Sequence, residues 1–190
     1  MAKKVIYQTL EDRANPDKIE KDGPFPCNWD NTWLGDGYYF WDTFIENAHW
    51  WGAEVRNYKN GYIVCKAFCD FNDGDCFDLV GNTEHLILFT NTYNFLKSKG
   101  LANENAKVKR IIEYLKTNTK GFNYQAVRAY GLKSKNIHSV FNLGLYFEDN
   151  KPQYLDLKPA IQICFYKKDS LNLRNYQIVY PDEYIEGYVI

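Results

Sequence analysis

The stretch Leu34-Gly35-Asp36-Gly37-Tyr38-Tyr39-Phe40-Trp41 sets two glycines directly before four aromatic residues. Glycine has no Cβ, so the backbone here turns tightly and comes close to whatever lies beside it. The aromatic run reads as a strand. A few residues on, Glu46-Asn47-Ala48-His49-Trp50-Trp51 brings a small alanine and a second aromatic pair, on a segment that reads as a helix. A close backbone approach with one ring below and another above describes a pocket for a planar ligand. The plainer alternative is a glycine turn entering an aromatic-rich core.

The rest of the chain reads as one domain, residues 1–190. Lys4 to Thr9 is a predicted strand. Asn15 is positioned to cap a short helix, with Pro16 in its first turn. Asp42 or Thr43 caps a helix running to about Val55, and Tyr62 to Phe68 reads as a strand. Leu86, Phe89, Tyr93 and Leu96 share one face of a helix, and Val108, Ile111, Ile112 and Leu115 share a face of another. From residue 136 the period becomes two. Phe141 to Phe147 alternates, as does Ala160 to Phe165, and Tyr176 to Tyr180 makes a last strand. Strands and helices mix without strict alternation, so the expected class is α+β.

Aromatics make up 17% of the chain, a load that serves both core and binding surface. No apolar run is long enough for a membrane span, and Met1-Ala2-Lys3-Lys4 leads into no signal-peptide core, so the expected location is cytoplasmic and off the membrane. Five cysteines at irregular spacing, with no histidine in register, point to buried thiols and no metal. Net charge is −1, but ten basic residues and only two acidic ones lie between Lys97 and Lys135, interleaved with Tyr114, Phe122, Tyr124 and Tyr130. Such a segment suits a nucleic-acid backbone or a pyrophosphate. It also suits an ordinary solvated helix face.

Residues 34–51 resemble the ADP-ribosyltransferase superfamily, in its polymerase- and diphtheria-toxin-like branch. Gly35, Gly37, Tyr39 and Phe40 match the family's second motif strand, and Ala48 matches the alanine of the helix that follows. Trp50 falls where the family has its second nicotinamide-stacking tyrosine. Upstream, Val5-Ile6-Tyr7-Gln8-Thr9 is similar to the first motif, with Gln8 where the family's histidine holds the nicotinamide ribose. The third motif, a glutamate on a late strand, is matched by Gln162, which keeps a hydrogen bond and lacks the charge. Glu148, at the end of the run Phe141 to Phe147, is the alternative carboxylate.

The resemblance implies a split β-sheet core with helices inserted between the N-terminal motif half and the late strands. It implies NAD as substrate. Gln8, Thr9, Gly37, Tyr38, Tyr39 and Trp50 would bind it, and Tyr39, Gln162 and Glu148 would be the catalytic set. The implied activity is mono-ADP-ribosyl transfer, of toxin, effector or defence type, to a macromolecular acceptor. That acceptor is a protein or a nucleic acid docked on segment 97–135, and a neutralising partner accompanies such an activity. Two other classes stay open: a silent domain that binds NAD, ADP-ribose or nucleic acid, and an interaction protein in which residues 34–51 are core.

Overall fold

Strand β1 (Ala2–Glu11) pairs along all ten of its residues with β3 (Tyr62–Phe71) and with β2 (Tyr38–Asp42) at only two, Ile6 opposite Asp42 and Tyr7 opposite Trp41. Beyond Tyr7 the strands part. The computed structural model describes residues 2–131 and 144–185. Its main sheet has seven strands in the order β4-β5-β8-β2-β1-β3-β9, where β4 is Cys76–Asp78, β5 Ala126–Tyr130, β8 Ile161–Phe165 and β9 Arg174–Tyr180. Only β4 and β5 pair in parallel. A separate hairpin, β6 (Gly144–Tyr146) with β7 (Tyr154–Asp156), stands between β5 and β8 in sequence. The class is α+β, as the mixed order predicts.

Four helices cover the sheet. α1 (Pro16–Asp22) packs Ile19 against Ile63, Cys65 and Ile178. α2 (Ile45–Trp50) packs Ala48 against Trp41 and Val64, and the chain continues as a π-helix from Trp51 to Arg56. α3 (Thr83–Ser98) and α4 (Val108–Asn118) cover β4, β5 and β8 on the face that carries Cys164 and Trp41. The predicted apolar face of α4 is buried at Ile111, Ile112 and Leu115, whereas Val108, in the first turn, is exposed. On α3, Leu96 is buried and Leu86 exposed. Asn82 caps α3 by accepting from the N–H groups of Glu84 and His85. Asn15 precedes α1 and makes no capping bond.

The sequence periodicity misses β4, β5 and β7, which are three to five residues long and too short for alternation to register. The predicted run Phe141 to Phe147 is a strand over Gly144–Tyr146, and residues 141–143 lie outside the described residues. β8 is buried at every position, so the isoleucine face is not the only one turned inward. That is the expected condition of a strand paired on both sides and covered on both faces.

At the closed end of the β1–β2 pair sits a charged cluster. Lys4 Nζ lies 3.1 Å from both oxygens of Asp42, and Arg128 Nε donates to Asp42 at 2.7 Å. Arg128 Nη1 reaches both oxygens of Asp78 at 3.0 and 3.1 Å. The Asp78 N–H donates to His85 Nδ1 at 2.9 Å, and His85 Nε2 meets the Tyr124 hydroxyl at 2.9 Å. Burial works against the Arg128 charge, but its bonds to Asp42 and the charges of Asp42 and Asp78 prevail and raise its pKa.

Candidate functional site

Where β1 and β2 part, a cleft of about 920 Å³ opens. Its walls come from the end of β1, the start of α1, the loop before β2, the π-helix, and Gln162 on β8. β8, β2 and β1 are adjacent, so the three segments singled out by sequence meet at this opening. Gln8, Thr9, Tyr39 and Gln162 all line it.

Their side chains are committed to different degrees. Gln8 is saturated: its Nε2 donates to the carbonyls of Phe25 (2.9 Å) and Tyr39 (3.4 Å), and its Oε1 accepts from Phe25 N–H (3.1 Å) and the Tyr176 hydroxyl (2.8 Å). An amide has two donors and two acceptor lone pairs, so nothing is left over for a ribose. Gln8 fastens the segment before β2 onto β1. Thr9 donates to the Ala48 carbonyl at 2.8 Å, tying β1 to α2, and keeps its oxygen lone pairs. The Tyr39 hydroxyl accepts from Leu34 N–H (2.8 Å) and donates to Gly35 O (2.7 Å), so it anchors the glycine turn. Burial, reinforced by the neighbouring Cys164, raises its pKa strongly and keeps it a neutral phenol.

Gln162 differs from all of these. It is 9% exposed, it pairs with Trp41 on one side and Ala129 on the other, and its Oε1 is buried with no hydrogen-bond partner. An unpartnered buried acceptor costs about 1–3 kcal/mol. Gln162 lines the cleft wall, so this orphaned acceptor lies beside the opening.

Four of the sequence candidates lie elsewhere. Tyr38 projects to the opposite face of β2 and packs with Phe40 against the core. Gly37 faces β8 rather than a ligand: a Cβ there would run into the Phe165 carbonyl and Cys164 Sγ. Glu148 is exposed beside the β6–β7 hairpin and does not line the cleft. Trp50 packs against Trp41, with centroids 6.1 Å apart, while its neighbour Trp51 lines the cleft and meets Trp33 edge-on at 5.7 Å. The π-helix begins at Trp51, the indole that lines the opening.

The sequence reading omits the outer part of the cleft. Arg13, Lys18 and Arg56 bring three cations, and Glu11 one carboxylate. Arg56 lies over the Trp29 ring at 4.5 Å and donates to the Tyr58 hydroxyl at 3.3 Å. Trp29 is 53% exposed and Trp33 38%, a large apolar surface to leave at a rim. No motif marks these residues, because they come from separate loops that only the fold assembles.

The basic segment 97–135 is less free than its charge suggests. Lys97 pairs with Glu104 at 2.7 Å, Lys109 with Thr32 and Asp36, and Arg128 with Asp42 and Asp78. Lys116 sits 3.1 Å from the Tyr166 ring centroid, and burial lowers its pKa. Lys133 and Lys135 lie outside the described residues. Burial pushes the thiols of Cys65, Cys69 and Cys164 up to about 12, so they stay protonated. No helix among the described residues is long and apolar enough to cross a membrane.

The chain is similar to an uncharacterized protein of Methanocaldococcus jannaschii, 28% identical over 171 residues, which span 80% of this chain and 78% of that protein. No family model matches the chain, and no solved structure matches it.

Proposed function

We propose that the cleft binds NAD and that the chain is an ADP-ribosyltransferase of divergent type, moving ADP-ribose to a macromolecular acceptor and releasing nicotinamide. The observation that carries this reading is Gln162: a buried amide oxygen without a partner, in the wall of an aromatic cleft that opens between the first two motif strands. The nicotinamide ring would lie by Tyr39 and Trp51, with Thr9 and Gln162 offering hydrogen bonds to the adjoining ribose. When the C1′–N bond breaks, its electron pair leaves with neutral nicotinamide and positive charge develops on the sugar. Gln162 orients the ribose by hydrogen bonding and supplies no charge to offset this. The acceptor's O–H or N–H group then bonds to C1′ and gives its proton to solvent.

A second reading, a domain that binds NAD or ADP-ribose without turnover, is favoured by the neutrality of Gln162 and by the position of Glu148 outside the cleft. One assay separates the two: nicotinamide release from NAD by the purified chain, with cell extract as acceptor source, beside Gln162→Leu. Release that Gln162→Leu abolishes supports transfer. Saturable NAD binding without release supports the silent domain. Absence of binding sinks both.

A further inference from the structure

We infer that Glu11 and Arg13 read the far, adenosine end of the ligand at its ribose, favouring a free 2′,3′-diol, as in NAD and ADP-ribose, over a 2′-phosphorylated ribose, as in NADP. The inference rests on the NAD reading of the same cleft. It starts from register. Tyr7, Trp41 and Gln162 form one cross-strand row, and side chains alternate along a strand. Thr9 and Glu11 therefore share the sheet face of Trp41 and Gln162. Glu11 stands four residues along β1 from that row, or roughly 13 Å at about 3.3 Å per residue. A dinucleotide whose first ribose meets Gln162 extends along β1 toward Glu11, its second ribose lying a pyrophosphate farther on.

The chemistry at that end fits a diol. Glu11 is the one carboxylate among the described residues that line the cleft. Arg13 holds it by a single oxygen: Nε and Nη2 reach Oε2 at 3.0 and 2.9 Å. Oε1 carries no hydrogen bond among the described residues, and on a residue that lines the cleft it is left as an acceptor for sugar hydroxyls. A carboxylate accepting from ribose hydroxyls is a general way of selecting the unphosphorylated sugar, and a free arginine is the general way of accepting a 2′-phosphate. Here the arginine is already neutralised by the carboxylate that a phosphate would have to approach. Lys18 and Arg56 remain on the rim for the pyrophosphate.

Tryptophan fluorescence titrations of the full chain with NAD, NADP and nicotinamide mononucleotide test this. NAD is expected to bind about tenfold tighter than NADP, the scale of one hydrogen bond to a charged group. Glu11→Gln should shrink that preference to under about threefold. The mononucleotide, which lacks the adenosine half, should bind the variant and the native chain alike. Arg13→Ala, which leaves the carboxylate unclamped, should keep NADP the weaker ligand. Equal binding of NAD and NADP by the native chain, or an unchanged preference in Glu11→Gln, overturns the inference and leaves the NAD reading standing. Loss of the preference in Arg13→Ala overturns the role given to Glu11. Failure of all three ligands to bind overturns the NAD reading, and this inference with it.

Discussion

Asp42, at the closed end of the β1–β2 pair, is 2% exposed and receives hydrogen bonds from Lys4, Thr43 and Arg128. Gln162, one strand away and beside the open end, is almost as buried, and its Oε1 receives none. The two ends share strands, layers and burial, and they differ in how polar groups are satisfied. At the closed end each charge has a partner inside the chain, as a structural network requires. At the open end the Gln162 acceptor has no partner among the described residues. Burial by itself does not separate the two ends; the state of the hydrogen bonds does.

The sharpest way to break this contrast is Arg128→Met. It leaves Asp78 buried without its cation and Asp42 with Lys4 alone, and should cost about 3–5 kcal/mol in denaturant unfolding. A loss below about 1 kcal/mol would mean that the closed end is not held by its charges. Gln162→Leu probes the other end with a residue of similar bulk. Stability should hold or rise by up to about 1 kcal/mol, while NAD affinity in the same preparation falls about tenfold. A destabilised variant with unchanged affinity would turn Gln162 into a core residue. The two adjacent tryptophans refine the picture. Trp51→Ala should weaken NAD binding by roughly fivefold, the worth of one aromatic contact, and Trp50→Ala should instead lower the melting temperature.

Smaller effects follow outside the cleft. Burial lowers the His49 pKa below its ordinary value, against a raising influence from Glu46. Its neutral form therefore contributes stability that is present above about pH 6.5 and lost as pH falls through the folded value. The loss should be under about 1 kcal/mol, since the ring is only half-buried, and His49→Gln should flatten it in a pH series of melting curves. Glu148→Gln should leave stability within about 0.5 kcal/mol and leave nicotinamide release unchanged. A drop in release would bring the β6–β7 hairpin into the reaction.

Part of this arrangement is legible in the residues. The aromatic strand after Gly37, the helix carrying Ala48, the apolar side of α4 and the late strand with Gln162 all have local signatures, and the structure has an element at each. Gln8, Tyr39 and Gln162, singled out on three separate segments, all line one opening. What the residues hide is side-chain commitment. Nothing local to Gln8 says that Phe25 and Tyr176 will use up its amide, because Tyr176 lies 168 residues away in sequence. Nor does a glycine reveal whether it makes room for a ligand or, like Gly37, for a neighbouring strand. The outer wall is hidden for a similar reason. Glu11, Arg13 and Arg56 are ordinary surface residues until the divergence of β1 from β2 sets them around one space.

The π-helix from Trp51 to Arg56 ends at Asn57 in the left-handed conformation, and its Gly52 lies flat on the Tyr62 ring. A helix of this kind holds slack in chain length. Taking out one residue between Gly52 and Arg56 would let the segment tighten to ordinary α-helical winding with both flanking anchors kept. Trp51 and Arg56 would then rotate relative to each other, and the ring and the guanidinium would no longer reach the opening together. A deletion of a single codon would thus reshape this side of the opening without touching any residue that lines it.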